Sequence, residues 1–207
     1  MKKLLLLFTL LLLFTAFKAK DEYFTGKIIY QYHFTDIQGN VINDKIMPFF
    51  GSDQHYYINS KNYKSYSNDK LQQLYHAETN TYYMVLNDTI RAFDGNLKTS
   101  KKFKLKHLPQ TPNVAGYTCK VLQIETENAI TDYYYSPNLK VDRQAFANHN
   151  YGEWNKYLEA TNGALALKHV LRDKKSGIVW TSTATEILPM ELSASDFELP
   201  PAMPVKK

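Results

Sequence analysis

The sequence predicts a mainly β protein built on an antiparallel meander. Three observations carry that expectation. Aromatic residues make up 14% of the chain, led by 16 Tyr and 11 Phe, and rings suit the pleated, half-buried surface of a strand. Apolar and polar residues alternate with period two in one short run after another, the mark of a strand with one covered face. Short polar turns separate the runs, and no helix-sized segments alternate with them, which argues against a parallel α/β arrangement.

The chain opens on MKKLLLLFTLLLLFTAFKAK. Lys2 and Lys3 precede an apolar run from Leu4 to Phe14 interrupted only by Thr9, the basic and apolar regions of a secretory signal peptide. The run falls short of the roughly 20 residues that a membrane-crossing helix needs. The expected division is a signal peptide over residues 1–19 and a single domain over 20–207, with the mature chain starting between Phe17 and Asp21. No cysteine follows the apolar run, so a lipoprotein attachment site is not expected. The expected destination is the periplasm or the outside of the cell.

The first strand is FTGKIIYQYHF, with Phe24, Ile28, Tyr30, Tyr32 and Phe34 on one parity and Lys27, Gln31 and His33 on the other. Gly39-Asn40 ends it as a turn. Val41 to Phe50 reads equally well as helix or as loop. Strands then follow as HYYIN, NYKSYS, LQQLYHA and TYYMVL, the last two around Glu78-Thr79-Asn80. TIRAF stops at Asp94-Gly95. KKFKLKHL places Phe103, Leu105 and His107 on one face and Lys102, Lys104 and Lys106 on the other. YTCKVLQIE and AITDYYYS form a hairpin around Glu127-Asn128, and ALALKHVLR and IVWTSTATEIL another around Lys174-Lys175-Ser176-Gly177. One segment departs from period two. Tyr151, Trp154 and Leu158 fall at helical spacing ahead of Asn162-Gly163, which predicts a short helix over 152–161. SASDFELPP reads as a turn that tucks Phe197 against the sheet, with order ending at Pro200-Pro201 and a loose tail at Lys206 and Lys207.

Composition bounds the function classes. At 44% hydrophobic and 22% charged the chain is globular. The formal charge is +5, from 25 Lys+Arg against 20 Asp+Glu. Removing Lys2, Lys3 and Lys18 leaves 22 against 20, or +2, which is no footprint of a nucleic-acid binder. The single cysteine, Cys119, permits no internal disulfide. It reads as a buried strand thiol between Tyr117 and Val121 rather than as a nucleophile.

No local chemistry is encoded. The histidines at 33, 55, 76, 107, 149 and 169 show no metal-ligand spacing. No nucleophile elbow, phosphate loop or dinucleotide fingerprint is present. The sequence therefore predicts no enzyme, no cofactor and no metal. The lysine stripe at 102, 104 and 106 reads as a solvated strand face first and as a site for an anionic partner or lipid headgroup second. Tyr56-Tyr57, Tyr82-Tyr83 and Tyr133-Tyr134-Tyr135 put rings on both faces of their strands. A sheet with one wet face carries polar residues there, so the second face must be covered too, by a helix, a loop or a ligand.

Several runs taken together resemble a known group: HYYINSKNYKSYS, TYYMVLND, VAGYTCKVLQIE, YYYSPNLKVD and the TATEI…SDFELP ending. The carrying motifs are Gly116-Tyr117 with Cys119, Tyr135-Ser136-Pro137 with Val141-Asp142, and Asp196-Phe197 with Leu199-Pro200. They resemble a group of exported bacterial proteins whose shared domain has no assigned function. That group is similar in layout to the lipoprotein-carrier (LolA/LolB-like) fold. The resemblance spans nearly all of the mature chain. It implies a curved antiparallel sheet, an unclosed β-barrel, with one or two short helices over its concave face. It also implies a non-enzymatic periplasmic or envelope protein that binds a lipid or other hydrophobic ligand in the half-barrel. Tyr57, Tyr83, Tyr133, Tyr135 and Trp154 are the expected ligand-binding residues, with the inward parity left open by the sequence. The alternative is an envelope structural or protein-interaction module whose core is filled by its own side chains. The expected partners are a lipid or acyl chain, or an envelope protein, with no nucleic acid, and the expected state is a monomer.

Overall fold

The computed structural model describes residues 23–86, 89–201 and 204–206. The expected signal peptide and its cleavage site lie outside the described residues. β1 (Gly26–Asp36) buries Ile28, Tyr30, Tyr32 and Phe34 and turns the intervening residues outward, as its period-two pattern requires. It pairs antiparallel with β2 (Asp53–Ile58) on one side and β13 (Ile178–Pro189) on the other. From β2 the sheet continues through β3 (Asn62–Ser67), β4 (Lys70–His76), β5 (Thr81–Leu86) and β6 (Thr89–Asp94). From β13 it continues the other way through β12 (Ala164–Asp173), β11 (Ala129–Lys140) and β10 (Lys120–Thr126) to an edge at β7 (Phe103–Leu108). β14 (Val205–Lys206) adds to β6 in parallel, opposite Ile90 and Arg91. A small hairpin of β8 (Asn113–Val114) and β9 (Tyr117–Thr118) stands apart. Among the described residues the result is one large curved, open sheet of twelve strands, not closed into a barrel, with two short helices.

Turn chemistry sets the registers. Asn68 and Asp69 both take positive φ, 48° and 59°, the conformation of a tight hairpin turn that matches strand twist. Asn80, at φ 45°, closes the β4–β5 connection, and its Oδ1 accepts from the Tyr75 hydroxyl at 2.9 Å.

Helix α1 (Asn43–Phe50) resolves the segment that read equally as helix or loop. It contains Pro48 and has no fully buried residue, although Ile46 and Met47 pack against the core from partly exposed positions. Helix α2 (Trp154–Thr161) buries Tyr157, Leu158 and Thr161. It stops where expected: Asn162 and Gly163 are both left-handed, and the Gly163 amide donates to the Leu158 carbonyl at 2.7 Å.

The helices share one face of the sheet. Phe50 of α1 lies 6.3 Å from Phe34 and 5.6 Å from Trp180. α2 and the preceding loop, which carries fully buried Phe146, close over Tyr56, Tyr63, Tyr75 and Tyr82. The opposite face is covered in part by the C-terminal segment. A 3₁₀ turn at Ala194–Phe197 buries Phe197 to 1% exposure, and the Phe197 carbonyl accepts from His76 Nε2 at 2.7 Å. Two expectations are corrected here. Lys206 is not part of a loose tail, because it and Val205 pair with Arg91 and Ile90. Cys119 is buried, but it sits between β9 and β10 rather than inside a strand.

Candidate binding site

The structure divides the five residues singled out by sequence. Tyr133, Tyr135 and Trp154 meet on the helix-covered face around Tyr157. The Tyr133 and Tyr157 rings are 4.8 Å apart, and Trp154 stacks on Tyr157 at 5.3 Å with planes 10° from parallel. Tyr57 and Tyr83 lie on the opposite face. Tyr57 meets Tyr66 edge-on at 6.1 Å, with Lys27 and Lys64 over its ring, and Tyr83 meets His76 edge-on at 5.7 Å. The reason is parity. Tyr56 and Tyr82 take the inward positions of β2 and β5, so their neighbours must point away. One site containing all five does not form.

The middle of the helix-covered face is filled by the protein itself. Leu158, Phe146 and Tyr75 are fully buried, Trp154 meets Tyr63 edge-on at 6.1 Å, and Tyr63 stacks on Tyr75 at 5.5 Å. Burial pushes the Tyr133 hydroxyl up to about 12 and holds Tyr63 and Tyr157 well above the ordinary phenol value. Desolvation disfavours the phenolate, so these rings stay neutral.

Open volume occurs beyond the C-terminal end of α2. A groove of about 590 Å³ lies between the end of β7 with its following loop, the start of β10, the Tyr135–Lys140 stretch of β11, and Ala160 to Asn162. That volume is within the range of small-molecule sites, about 300–1,000 Å³. Leu108, Pro109, Val121, Tyr135, Pro137 and Ala160 supply apolar lining, while Lys120, Lys140 and His107 supply basic groups; no Asp or Glu lines it. Neither lysine has an ion-pair partner among the described residues. The α2 C-terminus brings a partial negative charge of about half a unit, which two full lysine charges outweigh.

The groove has a local cause. β11 pairs with β10 only as far as Tyr135, and its ladder with β12 breaks between Tyr135 and Lys140. Pro137 sits in that break, where its missing N–H is no loss. Sequence reasoning found Tyr135 but missed Lys120, Lys140, Val121 and Leu108. The one available signal was a proline inside a strand-like run.

Among the described residues no group of three or more His, Cys, Asp or Glu is placed to hold a metal ion. No helix among them is long and apolar enough to cross a membrane.

No family model matches the chain, and no curated protein matches it. Solved structures do. The chain is similar to PNGF-II in two crystal forms, with TM-scores of 0.50 and 0.49 and 12% identity, over 87% of this chain and 30% and 31% of PNGF-II. It therefore spans about a third of PNGF-II's length. It is also similar to a LolA superfamily protein from Nitrosomonas europaea, with a TM-score of 0.37 and 8% identity, over 87% of this chain and 92% of that one. At such identities a structural likeness concerns the fold alone.

Proposed function

We propose that the protein is an exported, non-enzymatic binding protein of the cell envelope, and that the groove beyond α2 takes an amphiphile with an apolar body and an anionic head, such as a long-chain fatty acid. The observation that supports this reading is the apolar lining at Tyr135, Val121 and Leu108 beside two unpaired lysines, Lys120 and Lys140. Burying an acyl chain yields about 25 cal/mol per Å² of apolar surface, and the lysines select the charged end and speed its approach. The basic start and short apolar run of the first residues support export.

Oleate titrated into the Trp180→Phe variant, followed through Trp154 emission and by calorimetry, tests the proposal. Saturable binding is expected, weakened about tenfold or more by Lys120→Glu with Lys140→Glu at an unchanged melting temperature. A flat titration would overturn it. That result would select the second reading, an envelope interaction module without a small ligand, which the self-filled middle of the helix-covered face favours.

A further inference from the structure

The large sheet ends differently on its two sides. On one side β14 lies along β6 and covers part of that edge. On the other, β7 pairs with β10, and no strand among the described residues pairs with its outer side. The β7–β10 ladder runs from Phe103 opposite Thr126 to Leu108 opposite Val121 without a register shift. In such a ladder every second residue of the edge strand turns its N–H and C=O away from its neighbour, to the open side. Bulges and prolines commonly spoil an edge for further pairing, and neither interrupts β7. Lys104, Leu105, Lys106 and His107 are all exposed.

The side chains decide which strand fits there. Parity places Lys104 and Lys106 on one face, opposite Glu125 and Gln123, and Phe103, Leu105 and His107 on the other, opposite Thr126, Ile124 and Leu122. Glu125 is held by Lys174 at 2.8 Å, and neither Lys104 nor Lys106 forms an ion pair among the described residues. Lys98, Lys101 and Lys102 precede the strand, and Lys156 of α2 stands over the Phe103 ring at 4.2 Å. The other nearby carboxylate, Glu127, is engaged by the Lys101 and Lys102 amides at 2.9 and 3.1 Å. Like charges directly opposite one another oppose strand pairing, and opposite charges favour it. The edge therefore repels a second copy of itself and favours an acidic strand.

We propose that β7 is a docking edge for an extended acidic segment of a partner protein, which adds to the sheet as a further strand. Main-chain hydrogen bonds supply the affinity and alternate side chains the selection. Asp or Glu stands beside Lys104 and Lys106, and apolar residues stand beside Phe103 and Leu105. The probe is a labelled peptide of alternating Glu and Val, read by fluorescence anisotropy. Saturable binding is expected, weaker at high salt, with slowed amide exchange over residues 103–108. Lys104→Glu with Lys106→Glu is expected to weaken it about tenfold at an unchanged melting temperature. Two derivatives N-methylated at alternate amides, one for each edge of the peptide, are expected to differ. The one whose methyl groups face β7 loses binding, and the other keeps it. Absence of saturable binding would overturn the proposal and leave the lysines as guards of a bare edge. Equal binding by both methylated peptides would overturn it too, since charge alone would then suffice. So would slowed exchange in β7 on raising the protein concentration without peptide, which would assign the edge to a second copy of the chain.

Discussion

His149 stacks face to face on Tyr75, with ring centroids 3.9 Å apart and planes 3° from parallel, while its Nε2 shares a 2.6 Å hydrogen bond with the Tyr63 hydroxyl. The pair joins the loop ahead of α2 to β3 and β4. It also fixes the charge of the imidazole, because a ring buried among neutral aromatics is poorly solvated as a cation.

Burial lowers His149 from 6.5 to about 3. Between those values the unfolded chain holds a proton that the folded chain does not. Stability is therefore full above about pH 6.5, falls as pH drops towards 3, and levels off below, at up to about 1.4 kcal/mol per pH unit. His169, lowered to about 4 by burial, acts with the same sign. Paired carboxylates such as Asp173, held low by hydrogen bonds from Ser176, add their loss only below their ordinary range. Urea melts between pH 7 and 4 should show the fall. His149→Phe, which keeps the stack and removes the proton site, should make the fall shallower and leave the share that His169 contributes. Stability that rises on acidification would refute the assignment.

Leu158 is fully buried beneath α2, whereas Trp154 is partly exposed although it stacks on Tyr157. Leu158→Ala should cost about 3 kcal/mol, within the range for a core leucine. Trp154→Ala should cost less than the full loss of a core ring, because part of its surface is already wet. Denaturant midpoints at constant slope measure both. A larger loss at Trp154 would mean that the indole, not the leucine, anchors the helix.

α2 was legible because Trp154 and Leu158 keep helical spacing and Asn162-Gly163 supplies a stop. β1 was legible because five inward positions share one parity. α1 was not, since Pro48 lies within it and proline disfavours a helix interior. The choice between Tyr56 and Tyr57 depends on which face the helices cover, and no strand records that in its own pattern. The groove was hidden for a different reason. Lys120 and Lys140 converge only because β10 and β11 run antiparallel with Lys120 opposite Tyr135, a non-local register. β14 was hidden because a two-residue strand has no period to read.

Cys119 is 0% exposed, its Sγ lies 3.5 Å from the Tyr117 carbonyl, and desolvation raises its thiol above the ordinary value. A buried thiol supplies little thiolate. Labelling by a disulfide reagent at pH 8 should be slow in the folded protein and rapid in urea. Rapid labelling without denaturant would show that the turn between β9 and β10 opens readily.

Gly163 holds the end of α2 against Val141, the residue that follows β11. Its φ is +81°, and a Cβ there would stand 2.5 Å from the Val141 carbonyl oxygen. The Val141 amide donates to the Gly163 carbonyl at 2.9 Å, so the two backbones cannot separate without losing that bond. Gly163→Ala therefore combines a left-handed alanine with a backbone clash, and should cost about 2–3 kcal/mol. Gly152 supplies the control. Its φ is +66°, but a Cβ there meets nothing within 4 Å, so Gly152→Ala should cost only the conformational part, about 1 kcal/mol. The difference in unfolding free energy between the two variants measures the Val141 contact. Equal losses would mean that β11 shifts to accept the methyl group, and that the groove wall beside Asn162 is softer than its hydrogen bonds imply.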